Sequence, residues 1–196
     1  MVAVRKAGAH PKRETTDEYI CRCFLDLVET KPFHTIKVRE LVDYAGISRS
    51  SFYTHFSSTY DIVQKLEDDF LRDFYPSESA RSVLVRGDVA ESIDQSDYLQ
   101  ENARVLKLLC GPNGDAYFSS RITQVIKRIC EEVWDEEGTT LSRVQRDALG
   151  SYIAGGTLML MRGVAEQNNP ISQREMLGIN TRVMAANNEL LGTRDR

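Results

Sequence analysis

Apolar residues recur at helical spacing along almost the whole chain of 196 residues, and no segment alternates with period two for long. That periodicity makes helix the repeating element and predicts an all-α fold. Ile20, Phe24, Leu27 and Val28 form one stripe over 16–30. Lys31-Pro32 ends it, because the residue before a proline avoids the helical region. Val38, Leu41, Val42 and Ala45 form a second, short stripe. Gly46 behind it suits the position after a helix end, where positive φ is often needed. Ser48 is placed to cap a third helix from Arg49 to about Phe56. Ser58, with Asp61 three residues on, opens a fourth helix striped by Ile62, Val63, Leu66, Phe70 and Phe74.

Beyond it, residues 75–87 contain Pro76 and several serines and are expected to form a loop, followed by a short helix over 88–93. A single helix is expected over 98–110, stopped by Gly111-Pro112-Asn113-Gly114. Residues 115–137 keep Phe118, Ile122, Val125, Ile129 and Val133 on one face, with Gly138 as the stop. Two more helices are expected, over 141–167 and 173–191. Ser172 and Glu175 form a capping box at the start of the last.

Charge and composition narrow the function. The net charge of −4 excludes a polybasic nucleic-acid binder, but the charge is uneven: residues 1–56 carry a net +2 and the remainder −6. Arg5, Lys6, Lys12 and Arg13 occupy the first thirteen residues with no acid among them. Such an arm can track phosphates or enter a minor groove, and alone it reads equally as a solvated tail. Cys21, Cys23, Cys110 and Cys130 form no C-x-x-C or Cys/His cluster, so they read as small core residues of a reducing cytosol, and neither metal nor cofactor is expected. The N-terminus has no signal-peptide core and no run of about 18 apolar residues exists, so a cytoplasmic protein with no membrane partner is expected. There is no nucleophile elbow, phosphate loop or His–carboxylate cluster outside the N-terminal region, which argues against an enzyme.

The stretch "AGISRSSFYTHF", residues 45–56, carries the functional signal. On a helical wheel Phe56 lies about 40° from Phe52, while Ser50 and Thr54 lie about 160° away. Ile47, Phe52 and Phe56 therefore hold the helix inward, and Ser50, Tyr53 and Thr54 face out with Ser51 at the flank. Small hydroxyls let a helix sit deep in a major groove, and the Thr54 methyl can touch a thymine methyl. An acid there would be repelled by phosphates, and the helix has none. Two short helices about a glycine turn describe a helix-turn-helix, although an ordinary helical corner would share the pattern.

Residues 35–66, "TIKVRELVDYAGISRSSFYTHFSSTYDIVQKL", resemble the DNA-binding domain of the tetracycline-repressor (TetR) family. The likeness extends back through 19–33, and "YIAGGTLMLMRG" at 152–163 is similar to wording in family C-terminal domains. The resemblance implies that Lys37 meets a phosphate, that Arg49, Ser50 and Ser51 face bases or nearby backbone beside the cap Ser48, and that Tyr53 and His55 bind phosphates. Many relatives carry a lysine at the start of the fourth helix. Here it is Thr59, which leaves helix N–H groups at Ser58 and Thr59 as the phosphate partners.

The expected organisation is a basic arm (1–13), a three-helix helix-turn-helix domain (14–57), and a body joined through the fourth helix (58–196) that binds an effector and dimerises. Gly150, Ser151, Ala154 and Gly155 form small i, i+4 pairs that suit a close helix crossing. With Leu158, Met176, Ile179 and Val183 they are expected to form a homodimer interface, unless these helices bury one another within one chain. Phe74, Tyr98, Tyr117, Phe118 and Trp134 are expected either to line a pocket for an unknown small-molecule effector or to serve as ordinary core. The functional expectation is a repressor that leaves a double-stranded DNA operator when it binds its effector. The alternative is a coactivator that docks a protein partner.

Overall fold

Thr15 and Glu18 start the first helix by a reciprocal exchange: Glu18 N–H donates to Thr15 Oγ1 at 3.3 Å, and Thr15 N–H to Glu18 Oε2 at 2.8 Å. The computed structural model describes residues 14–75, 77–88, 92–111, 114–165 and 172–190, and every regular element among them is helical. The arm with Arg5, Lys6, Lys12 and Arg13 lies outside the described residues, as do residues 89–91 of the short helix expected over 88–93. The elements are α1 (Thr16–Val28), a 3₁₀ turn (Phe33–Thr35), α2 (Val38–Ala45), α3 (Arg49–His55), α4 (Thr59–Phe74), α5 (Glu78–Arg81), a π turn (Ser82–Arg86), α6 (Ser92–Glu101), α7 (Ala103–Cys110), α8 (Ala116–Glu136), α9 (Arg143–Ala165) and α10 (Gln173–Leu190).

The first three helices form a head around Ile20, Phe24, Leu41, Val42, Phe52 and Phe56, all buried. α4 belongs to both parts. Ile62 and Val63 near its start are fully buried, as are Phe70 and Phe74 near its end, and one continuous apolar cluster runs through all four. Phe70 gathers Phe74, Tyr98 and Phe118 at centroid distances of 5.7, 5.7 and 5.9 Å, which ties α4 to α6 and α8. α8 and α9 pack along each other, and α7 lies between them and the head. All four cysteines are buried free thiols; burial pushes Cys21, Cys110 and Cys130 up to about 12.

Two expectations about the body are corrected. Within the expected loop, residues 78–86 are helical. Ser77 caps α5 by accepting the Ala80 N–H at 3.3 Å, and Ala80, Val83, Leu84 and Val85 are buried. The serines that suggest a loop serve as a cap and a buried wall, and three consecutive apolar residues show no period to read. The segment is pinned to α8 by Arg81, which reaches Glu132 at 3.3 Å and Glu136 at 2.6 Å, and by Arg86, which reaches Glu137 at 2.9 Å. The helix expected over 98–110 is two helices. They part at Asn102 (φ −96°, ψ 10°), where the Tyr98 carbonyl accepts both the backbone N–H at 3.1 Å and the side-chain amide at 2.8 Å.

Candidate nucleic-acid interface

The turn between α2 and α3 is set by backbone chemistry. Gly46 adopts the left-handed conformation (φ 65°, ψ 31°), and the Ile47 N–H returns to the Val42 carbonyl at 3.1 Å. Tyr19 on α1 donates its hydroxyl to the Ala45 carbonyl at 2.9 Å, so one exposed end of α2 is satisfied by a side chain from the neighbouring helix. Ser48 Oγ then accepts the Ser51 N–H at 3.0 Å and starts α3. Phe52 is fully buried, and its ring meets Phe56 at 6.0 Å.

With that side held, α3 presents Arg49, Ser50, Tyr53 and Thr54 to solvent, with Ser51 half-buried at the edge. Tyr53 is 57% exposed and stands edge-on to Phe52 at 5.4 Å, so its hydroxyl end is held away from the core. The Thr54 hydroxyl donates to the Ser50 carbonyl at 3.0 Å. Lys37 is exposed at the start of α2.

Two expected contacts are constrained. His55 Nδ1 lies 2.5 Å from Asp17 Oδ1 on α1, which leaves Nε2 as the nitrogen that can face a phosphate. Thr59 is half-buried and donates its hydroxyl to the Ile36 carbonyl at 3.4 Å. Asp61 occupies the same helix start, taking the Ser57 N–H at 2.8 Å and the Ser58 hydroxyl at 2.6 Å. The Ser58 hydroxyl and the Ser57 N–H hold its carboxyl below the usual carboxylate range. With its hydroxyl engaged, Thr59 has only its N–H to offer a phosphate, and the ionised Asp61 beside it weakens that contact. Neither Tyr19 nor Asp17 stands out in the sequence, because both act through partners distant along the chain.

In the body, the five aromatic residues expected to line a pocket do not converge. Phe74, Tyr98 and Phe118 share the cluster around Phe70, Trp134 is buried, and Tyr117 is 73% exposed. Phe74 alone reaches a cavity between α4, the π turn, α6, α9 and α10, which it lines with Val83, Leu84, Leu99, Thr157 and Met161 among others. A wider, more open groove of about 300 Å³ runs between the head and α7, where Lys31 and Lys107 are already paired with Glu40 and Glu29.

The small residues of α9 divide between two faces. A methyl group on Gly150 would lie 3.6 Å from the Lys127 side chain and 3.8 Å from Trp134, and Ala154 is fully buried. Gly150 packs on α8 and Ala154 is buried within the same chain, which corrects their assignment to an interface between chains. Small residues signal a close crossing without saying which helix crosses. Gly155 is exposed with nothing within 4 Å of an added methyl group, and Ser151 is exposed, donating to the Asp147 carbonyl at 2.8 Å. Leu158 and Met176 are half-buried, while Ile179 is 54% and Val183 38% exposed. Tyr152 and Met159 share the exposed side of α9 at 57% and 55%. Their seven-residue spacing, about one heptad, is the signal that marks this face.

Comparison with known proteins agrees with this layout. The model of bacterial regulatory proteins of the tetR family matches residues 25–66, and that of a transcriptional regulator C-terminal region matches residues 92–185. The chain belongs to the tetR family. This tetR-family transcriptional regulator has no match among curated proteins. Among solved structures, the dihydroxyacetone kinase operon activator DhaS aligns at 17% identity over 89% of this chain and 97% of its own, with a TM-score of 0.64. A tetR-family regulator from Syntrophomonas wolfei aligns at 18% identity over 86% and 92%, with a TM-score of 0.60. A tetR regulator from Streptococcus agalactiae aligns at 17% over 85% and 91%, also at 0.60. At such identities the likeness speaks for the fold alone. The helix-turn-helix of this regulator is a DNA-binding element. Among the described residues no helix is long and apolar enough to cross a membrane.

Proposed function

We propose that the chain is a cytoplasmic repressor that reads a double-stranded DNA operator as a homodimer and leaves it when a small molecule binds the body. The acid-free outer face of α3 carries this reading, because Phe52 and Phe56 fix its orientation and leave Arg49, Ser50, Tyr53 and Thr54 outward. Ser50, Ser51 and Thr54 serve as base readers beside Arg49. Lys37, Tyr53, His55 through Nε2 and Thr59 through its N–H serve as phosphate partners. The basic arm, residues 1–13, adds counterion-linked affinity to the head (14–57), and the body (58–196) carries effector and dimer functions. Gel shift on the DNA upstream of the chain's own coding sequence tests this. Tyr53→Phe should weaken binding to all sequences by about the same factor, roughly threefold to tenfold. Ser50→Ala or Thr54→Ala should change base preference instead. A Tyr53→Phe protein with intact affinity and altered sequence preference would refute these roles.

A second reading draws support from the likeness to a protein named as an operon activator. In it the chain activates, by docking a protein partner rather than by binding DNA alone. Shifting by the purified chain favours the first reading, and shifting only after a second protein is added favours this one.

A further inference from the structure

His55 is the last residue of α3, and its Nδ1 lies 2.5 Å from the Oδ1 of Asp17 in the first turn of α1. Each member of the pair suits its own helix, since an N-terminal turn favours an anion and a C-terminal turn a cation. The other charged groups on the elements around α3 are engaged elsewhere or exposed. On α2, Arg39 pairs with Asp43 at 3.9 Å and Glu40 with Lys31, while Lys37 is exposed. Ahead of α1, Glu14 pairs with Arg22 at 2.9 Å; on α1, Glu18 is bonded to Thr15 and Tyr19 to the Ala45 carbonyl. On α4, Asp61 is held by Ser57 and Ser58, and Lys65 feels the Asp17 charge but pairs with Asp69 at 3.0 Å. Arg49, at the far end of α3 itself, is exposed.

A neutral imidazole has two nitrogens and one proton. An ionised carboxylate only accepts, so Asp17 requires that proton on Nδ1 of His55. Nε2 then carries a bare lone pair. A backbone phosphate oxygen is also an acceptor, and it meets that lone pair as repulsion. The opposite tautomer serves the phosphate but turns the Nδ1 lone pair against Asp17. The doubly protonated ring donates to both, and its positive charge strengthens the bond to the phosphate.

We infer that Asp17 is a positioning residue of the reading head: by holding the Nδ1 proton of His55 it lets a backbone phosphate be met only through a second proton on Nε2, so DNA binding takes up about one proton per head. His55 acts here in the phosphate-partner role proposed above, on which this rests. The proton comes from solvent, stays on Nε2 while the phosphate is bound, and returns to solvent on release. The bound state holds more protons than the free state. Affinity for DNA therefore falls as pH rises through the range in which imidazole titrates.

Two measurements test Asp17 and the phosphate contact separately. In the free full chain labelled with ¹⁵N-histidine, the ring signals of neutral His55, assigned by their loss in His55→Gln, should report the Nδ1–H tautomer. Asp17→Asn, whose amide accepts from or donates to Nδ1 equally well, should mix the two tautomers. Gel shift on the DNA upstream of the chain's own coding sequence, at constant ionic strength, should show the parent's affinity falling at least about tenfold from about pH 6 to about pH 8. That fall should shrink to about threefold or less in both variants, and His55→Gln should bind at least about threefold more weakly than the parent at the lower pH. An Nε2–H tautomer in the free parent, or a fall that persists in both variants, overturns the inference. His55→Gln with the parent's affinity at the lower pH would mean that His55 meets no phosphate, which overturns that role and the inference with it. A weakened His55→Gln beside a parent whose affinity stays level with pH upholds the role and overturns the inference alone.

Discussion

Glu67 lies on α4 with 2% of its surface exposed, and its Oε1 is 2.9 Å from Arg121 Nη1 on α8 without a well-aligned hydrogen bond. Distance makes this an ion pair, and poor alignment denies it the directed bond that would offset burial. Arg121 divides its attention, reaching Asp68 at 2.7 Å. Burial raises the Glu67 pKa, and the Arg121 charge only partly opposes it. The folded chain then holds this proton more tightly than the unfolded chain does. Stability from this group is greatest below the unfolded value of about 4.3 and declines as pH rises through the higher folded value. Glu67→Gln lacks the titration. Its stability relative to the parent should rise between pH 3 and pH 7, by urea unfolding followed at each pH. A relative stability that falls over that range would mean that attraction to Arg121 outweighs burial.

Gly87 and Gly46 both adopt left-handed backbone, at φ 67° and 65°, but they stand in different surroundings. Nothing lies within 4 Å of a methyl group added to Gly46, so Gly46→Ala carries conformational strain alone, about 1–2 kcal/mol. A methyl group on Gly87 would lie 2.5 Å from the Ala185 nitrogen and 2.9 Å from the Thr181 carbonyl, both backbone atoms of α10. Gly87→Ala adds overpacking to the strain and should cost about 2–5 kcal/mol in denaturant unfolding. Equal effects from the two would mean that α10 yields without loss. The contrast marks what the sequence reveals of the elements. Gly46, Ser48 and the Phe52–Phe56 pair are local signals, so α2, the turn and α3 are legible residue by residue. The π turn is not, because its ends are fixed by Arg81 and Arg86 reaching about fifty residues along the chain to α8. The break at Asn102 is a change of backbone angle at one residue, which helical periodicity does not register. The candidate site follows the same division. The outward face of α3 is readable from a wheel, whereas Asp17 at His55 emerges only when distant helices meet.

At the scale of the whole molecule, reading DNA demands more than one head. One recognition helix of seven residues contacts only a few base pairs, whereas two heads on a rigid frame add their contacts on one DNA. The proposed frame is the exposed face of α9 and α10, where Tyr152, Met159, Ile179 and Val183 leave apolar surface uncovered by their own chain. Gly155 and Gly156 lie on it with nothing within 4 Å of an added methyl group, so a larger side chain there meets no atom of its own chain near its root. Gly155→Leu should therefore leave the single chain folded and obstruct only a second chain approaching that face, an overpacking of roughly 1–3 kcal/mol on each side. Gly150→Leu is the contrasting change: it projects onto Lys127 and Trp134 and should destabilise the chain itself. Sedimentation should show Gly155→Leu shifted toward monomer with its helical circular dichroism intact. Operator affinity should then fall by about a hundredfold or more as the second head is lost. A stable Gly155→Leu dimer with normal affinity would move the interface off this face, since no close partner helix could accept leucine there without giving way.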